Sequence, residues 1–340
     1  MNNLWGQETK LFEQLTPEQI LETAEVFGQR LTGKVMPLNS IENRVYEVEL
    51  AQAFDFGPGF SNSAIIIKFY RPGRWTKEQL NEEHRFLLSL KEFEVPVVAP
   101  ISLGEEEQTL FFEDRTKLFF ALFPKLRGRL KDELIKDEID QAGRLIGRIH
   151  NIGSQGTFNH RLTLTPELFI QGAKANLLES PPVESESLKH YLNLLDPITQ
   201  LTSPLLNHLP MQKIHGDFHR GNIVWTSYGP VAVDFDDILT GPIEQDLWLL
   251  FPGTDPDSLS DRERFLKAYC EMTRKDCVSL RLVEVFRTMR MIHFNGWIAK
   301  RWSDHSFRQL FPQFTSNNYW DQQLIDLRMQ MSLIQEINYF

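Results

Sequence analysis

Cysteine is nearly absent from this sequence, and so are long apolar runs. The two cysteines, Cys270 and Cys277, stand seven apart in a helical pattern with no metal-ligand spacing around them, which argues against a disulfide framework or a zinc site. No stretch approaches the length of about 20 apolar residues that a membrane-spanning helix needs. The first residues are polar rather than charged-then-apolar, so no secretory signal is expected. Positive charge is also in short supply: 36 Lys and Arg against 46 Asp and Glu give a formal net charge of -10. General binding to nucleic acid or to an acidic membrane is therefore not expected. That sign places no bar on local capture of a few phosphates. The expectation is a cytoplasmic monomer.

The 340 residues, 41% of them hydrophobic, suffice for a large core and two lobes. The chemistry concentrates in His215-Gly216-Asp217-Phe218-His219-Arg220-Gly221-Asn222, followed by Val233-Asp234-Phe235-Asp236-Asp237. Gly216 and Gly221 permit sharp turns, so Asp217 and Asn222 fall on a tight loop. Ile223-Val224-Trp225 reads as a strand, Ser227-Tyr228-Gly229-Pro230 as a turn and Val231-Ala232-Val233 as the returning strand. That hairpin brings Asp234 back beside Asn222. A carboxylate and an amide oxygen meeting in this way suit Mg2+, which takes one or two carboxylates plus substrate phosphates. Asp217 is then left to accept a proton from an attacking hydroxyl. Positioning, a metal and one base are what phosphoryl transfer requires. Asp236 shares a side with Asp234 if the strand continues, which makes it a reserve metal ligand.

Two anomalies upstream answer one another. Ala64-Ile65-Ile66-Ile67-Lys68-Phe69-Tyr70 is a β-branched strand interrupted by Lys68. An ammonium there is either paired or snorkelling to water from an edge. Thr76-Lys77-Glu78-Gln79 then opens a helix with a capping box. Leu80, Phe86, Leu87, Leu90 and Phe93 form its apolar arc, with Glu83 inside the arc and Glu82 at its edge. A carboxylate on a buried face needs a cation. Lys68 and Glu83 are the expected pair, with Glu82 in reserve.

Elsewhere the chain is plainer. Thr16-Pro17-Glu18-Gln19 starts an early helix. Residues 137–151 form an amphipathic helix ending at a structural His150, and residues 152–210 are hard to read. Asp246 begins an apolar helix, where an acid matches the dipole. Residues 261–340 are mostly helical. Arg287, Arg290 and Arg301 either belong to an ordinary helix surface or face the cleft and steer an acidic or phosphorylated partner.

His-Gly-Asp-Phe-His-Arg-Gly-Asn with Val-Asp-Phe-Asp-Asp resembles the catalytic and metal loops of the aminoglycoside phosphotransferase and choline kinase families, relatives of eukaryotic protein kinases. Further segments, Lys68-Phe69-Tyr70-Arg71-Pro72-Gly73-Arg74-Trp75, Glu83-His84, Gly241-Pro242, Asp246-Leu247-Trp248, Arg301-Trp302 and Tyr319-Trp320, resemble the bacterial Ser/Thr protein kinases that share this fold. The resemblance implies an α+β fold with a small β-rich ATP-binding lobe, residues 1–123, and a larger, mainly helical lobe, residues 124–340. It implies Asp217 as proton acceptor, Asn222 and Asp234 as Mg2+ ligands, with Asp234 also catalytic, and Lys68 with Glu83 as the anchor for ATP. It makes Asp246 a support for the catalytic loop.

The stretch Pro37–Val48, strand-turn-strand, lies where such a fold places its phosphate-covering loop. It has no Gly-x-Gly-x-x-Gly, so Ser40, Asn39, Asn43 and backbone amides take that part. The apolar strand Leu118–Pro124, ended by proline, resembles the adenine-bearing hinge, with main-chain contacts near Leu122 and Phe123. Residues 51–63 extend the small lobe beyond the family pattern. Where eukaryotic Ser/Thr kinases carry a lysine two after the catalytic aspartate, this chain has His219; His219 or Arg220 is left to share that role.

The reading is an ATP- and Mg2+-dependent Ser/Thr protein kinase, with a protein substrate, autophosphorylation included, and a place in bacterial stress response. The alternatives are a small-molecule kinase acting on an amino alcohol, sugar or aminoglycoside, and a catalytically dead nucleotide-binding scaffold. The chain shows no Asp-Phe-Gly switch or activation-loop phosphosite. Phosphorylation between Asp234 and Asp246 is accordingly expected to leave activity little changed, and a strong rise in labelled-phosphate transfer on such modification overturns this.

Overall fold

In a computed structural model, residues 11–274 and 280–337 are described; Cys277, the opening of the expected N-terminal leader and the last three residues lie outside them. Helix α1 (Pro17–Ala24) starts at the expected capping box of Thr16 and Gln19. An antiparallel sheet follows, of β1 (Leu31–Leu38), β2 (Arg44–Leu50) and β3 (Phe60–Phe69), with α2 (Lys77–Glu92), β4 (Phe111–Glu113) and β5 (Leu118–Leu126) after them. Its order is β1-β2-β3-β5-β4.

The period of two along β3 sorts its side chains. Ile65, Ile67 and Phe69 join a core with Ile20, Phe27 and Leu122 on the α1 side. Ile66 packs into the other core, with Leu80 and Phe86 of α2, and Lys68 is on that same face. The strand β5 does not stop at Pro124. It continues to Leu126, and Pro124 pairs with Ile65. The partner on its other side, β4, covers only Leu118–Phe120, so the missing proline N–H costs no ladder bond there. Phe93, expected in the apolar arc of α2, is exposed at the helix end. Of residues 51–63, Phe54 and Phe56 lie against Phe27 at the α1-side core.

The larger part holds α3 (Lys136–Gly153), a π-helical turn (Glu167–Gln171), α4 (Gly172–Glu179) and α5 (Glu186–Leu206). Then come β6 (Gln212–Ile214), β7 (Ile223–Thr226), β8 (Gly229–Ala232), β9 (Leu239–Gly241) and α6 (Glu244–Leu247). The chain closes with α7 (Pro256–Thr273), α8 (Val283–Lys300), α9 (His305–Leu310) and α10 (Asn317–Ile337). Glycines let α3 and α7 approach closely: a Cβ on Gly143 would lie 2.5 Å from the Phe265 carbonyl oxygen. Helices α4, α5, α8 and α10 enclose a third core around Tyr191, Phe286 and Trp320. Among the described residues no helix is long and apolar enough to cross a membrane. The two-lobed α+β architecture is the one expected.

Within the core that holds Tyr70, Leu80 and Phe86 lies a buried polar chain. The Tyr70 hydroxyl meets His84 Nε2 at 2.7 Å, and His84 Nδ1 meets the Thr109 hydroxyl at 2.9 Å. Burial, and then the charges of Lys68 and Arg161, hold the His84 pKa down at about 3. An unfolded histidine titrates near 6.5. Stability is therefore full above about pH 6.5 and falls as pH drops toward 3, because only the unfolded chain takes the proton, by about 1.4 kcal/mol per pH unit. Between pH 6.5 and 5, urea midpoints are expected to fall, and less steeply in His84→Gln. An unchanged slope in the variant counts against this assignment.

Candidate active site

Lys68 is nearly buried, and its ammonium stands 2.9 Å from Asp236 Oδ1 and 3.5 Å from Glu83 Oε1. Burial opposes its charge, but Asp236 and then Glu83 raise its pKa well above the ordinary lysine value. The choice between the two glutamates is settled by geometry. Glu83 takes Lys68 on one oxygen and Arg161 on the other, the latter at 2.6 Å. Glu82 instead accepts the backbone N–H groups of Asn159, His160 and Arg161 at 2.7, 2.9 and 2.8 Å. It thereby shapes the loop that delivers Arg161. Burial pushes the Glu83 carboxyl up despite both cations.

The catalytic-type loop is held from below. Asp246 accepts the backbone N–H groups of His215 and Gly216, both at 2.8 Å, and meets His150 Nε2 at 3.0 Å. Both residues are structural, as expected. Gly216 has φ 85°, and a Cβ there would sit 2.3 Å from the Asp237 carbonyl oxygen. The two acidic loops are thus pressed together at a residue that must be glycine. His215 joins them from the other side, its Nε2 donating to the Val233 carbonyl oxygen at 3.0 Å.

The hairpin forms over β7 and β8, with Gly229 and Pro230 already in the returning strand. The Val233 N–H donates to the Asn222 carbonyl oxygen at 3.0 Å, which brings the residue before Asp234 onto Asn222. Asn222 donates its amide N–H to the Asp217 carbonyl oxygen at 2.9 Å, leaving the amide oxygen free as an acceptor. Asp234 is exposed and left-handed, with φ 59° and ψ 64°. The backbone then enters a tight turn over Phe235–Asp237 rather than continuing as a strand. That turn corrects the reserve assignment of Asp236, whose carboxylate faces Lys68 on one oxygen and Arg74 on the other. Lys68 and Arg74 hold the Asp236 pKa well below the usual range against burial.

A hard cation fits this donor set. Among the described residues no three His, Cys, Asp or Glu side chains gather into a self-sufficient metal cage. An amide oxygen and one carboxylate suit an ion that takes its other ligands from phosphate.

Asp217 faces two basic side chains. Arg290 of α8 places Nη1 2.6 Å from Oδ1, and His219 places Nε2 3.3 Å from Oδ2. Burial would raise the Asp217 pKa, but the hydrogen bond to His219 and the charge of Arg290 hold it well below the usual range. Arg220 turns away, donating to the carbonyl oxygens of Leu250 and Asp132.

The loop between β1 and β2 is fastened across the cleft. Glu42 meets Arg301 at 2.6 Å and accepts the Trp297 indole N–H at 2.5 Å. Arg71 donates to the Ile41 and Glu42 carbonyl oxygens and pairs with Asp304 at 3.2 Å. Within the loop, Asn43 accepts the Arg71 N–H at 3.0 Å, and its own N–H donates to the Ser40 hydroxyl. On the hinge side the Leu122 carbonyl oxygen accepts the Ile101 N–H at 2.7 Å. Phe123 pairs with Ile66. Alternation then leaves the main-chain groups of Pro124 and Leu126 facing away from β3.

A family model described as the phosphotransferase enzyme family matches residues 34–280. The chain belongs to this family. Stress response kinase A of Escherichia coli K12 is 35% identical over 328 residues, covering 96% of this chain and 95% of that protein. A protein named serine/threonine protein kinase RdoA, of Salmonella typhimurium, is 31% identical over 326 residues, covering 96% and 95%. Among solved structures, amicoumacin kinase hAmiN aligns with a TM-score of 0.73 at 19% identity over 95% of each chain. Choline kinase from Cryptosporidium parvum aligns at 0.63 and 12% identity over 94% of this chain and 97% of that one. The fold of this phosphotransferase is therefore shared with kinases of small molecules, and its sequence with kinases named for stress response.

Sequence reasoning missed Arg161 and Arg74 as members of the site, and had Arg290 only as one of three arginines that either lie on an ordinary helix surface or face the cleft; Arg290 faces it, on Asp217. Arg161 comes from a stretch with no periodicity. A second unpaired acid on α2, Glu82, was the signal that another element docks there.

Gly216→Ala is expected to part the two loops and cost about 1–3 kcal/mol of stability, read by urea unfolding, with at least about 100-fold lower phosphotransfer. Full activity in that variant would contradict the close packing.

Proposed function

We propose that this phosphotransferase moves the γ-phosphoryl group of ATP, with Mg2+, to a Ser or Thr hydroxyl of a protein. The observation that carries the reading is the convergence of Asp217, Asn222 and the Val233–Asp234 turn opposite the Lys68–Glu83 pair. In this reading Asn222 and Asp234 hold the metal, which when bound screens phosphate charge. Lys68, oriented by Glu83 and Asp236, reaches the phosphates. Backbone amides of the Ser40–Asn43 loop cover them, since the Asn43 side chain is spent on Arg71. The adenine edge meets the main-chain groups of Pro124 and Leu126, a register shifted along β5 from Leu122 and Phe123. Asp217 takes the proton of the acceptor hydroxyl, and the bond to the β-phosphate oxygen breaks as ADP leaves.

The relative named as a serine/threonine protein kinase supports the protein acceptor. The neighbours named for amicoumacin and choline support a second reading, a small hydroxyl compound as acceptor.

With γ-labelled ATP and Mg2+, label is expected on Ser or Thr of a protein, and Asp217→Asn is expected to cut transfer by about 10²–10⁴-fold. Label found only on small alcohols would move the acceptor assignment to the second reading. Undiminished transfer by the variant would remove Asp217 from the chemistry.

A further inference from the structure

Both oxygens of Asp217 stand in ion-pair range of a basic side chain before any acceptor arrives. His219 Nε2 stands on Oδ2 at 3.3 Å, and Arg290 Nη1 stands on Oδ1 at 2.6 Å. An acceptor hydroxyl that delivers its proton to this carboxylate competes with one of them. His219 is anchored in the loop itself, where its Nδ1 accepts the Gly221 N–H at 2.9 Å. Arg290 comes from α8, and its side chain is 41% exposed, so its head has room to swing toward solvent.

A guanidinium leaves a carboxylate readily only for another anion of matching geometry. The surroundings favour the same sign of partner. His293, one turn along α8 from Arg290, is exposed and packs on Phe169; crowding by neighbouring atoms, and then the charges of Arg301, Arg290, Arg74 and Lys300, push its pKa down. Asp237, the half-exposed carboxylate of the neighbouring turn, already holds Arg74 at 2.5 Å and is not left bare to attract an ammonium.

We propose that Arg290 is a specificity residue that selects an acceptor carrying a carboxylate or phosphate beside its hydroxyl, in a protein a Ser or Thr within an acidic segment. This rests on the phosphotransfer reading above. The acceptor anion takes over Arg290 and frees Oδ1. The hydroxyl then donates to Oδ1 as its oxygen forms the new bond to the γ-phosphorus. The bond from that phosphorus to the β-bridging oxygen breaks, its electron pair leaving with ADP, and the hydroxyl proton ends on Asp217. A neutral or cationic acceptor gives Arg290 nothing in exchange.

The test measures kcat and KM with γ-labelled ATP for Ser/Thr peptides with acidic, neutral or basic flanks. A parallel set contains small hydroxy acids, sugars and amino alcohols. The enzymes are wild type, Arg290→Lys, Arg290→Gln and Arg290→Glu. Wild type is expected to favour acidic over neutral flanks by at least about tenfold in kcat/KM, the scale of one charge-assisted pair. Arg290→Gln raises KM for acidic peptides by a similar factor and raises kcat on neutral ones, because Oδ1 is no longer covered. Arg290→Glu shifts preference to basic flanks, and Arg290→Lys keeps part of the original order. A purely structural role for Arg290 lowers every acceptor alike, and that result overturns the proposal. So does a wild type that uses neutral, basic or amino-alcohol acceptors as well as acidic ones, or that labels no anionic acceptor. Label on hydroxy acids but on no peptide retires the protein-kinase reading and leaves the role of Arg290 standing. Label on peptides without regard to charge does the reverse.

Discussion

A buried ammonium with two carboxylates around it organises this molecule. Lys68 comes from the small sheet, Glu83 from the helix behind it and Asp236 from the loop beyond the hairpin. No two of these are near in sequence, yet each needs the others to tolerate burial. Arg161 and Arg74 extend the array, so that positive and negative groups alternate through it. Removing one member leaves its partners charged and dry, the costly way to break a buried pair. The array therefore fixes the loop of Asp234–Asp237 relative to the strand of Lys68. The arrangement of the cleft follows from an electrostatic demand that the core makes on its own account.

A second junction spans the mouth of the cleft. Glu42 sits between Arg301 and Trp297, and Arg71 reaches Asp304 while gathering the carbonyl oxygens of the loop. Like the inner one, this junction is buried: Arg71, Arg301 and Asp304 are all shut away from solvent. It ties a loop tip of the small lobe to the end of one long helix.

Much of this was legible in the chain. Both capping boxes, the hairpin, the Asp217–Asn222 loop and the burial of Glu83 follow from local rules: turn chemistry, period-two strands and a charged residue inside an apolar arc. Where reading failed, a single local rule had been extended too far. Alternation past Val233 put Asp236 beside Asp234, but a left-handed Asp234 ends the strand and turns Asp236 to Lys68. Pro124 was read as a strand end, which overlooked that an edge can carry proline. Arg161 gave no local signal, because its meaning comes from a partner 78 residues away in the chain, a distance over which sequence pattern carries no information about contact; Arg290 was legible only as one of three arginines left open between helix surface and cleft.

Helix α8 serves both ends of the cleft. Arg290 on Asp217 and Trp297 on Glu42 are two turns apart, about 10 Å along one rigid rod. The acidic loop at Asp217 and the loop between β1 and β2 thus share one attachment, and a change in the tilt of α8 would displace both contacts together.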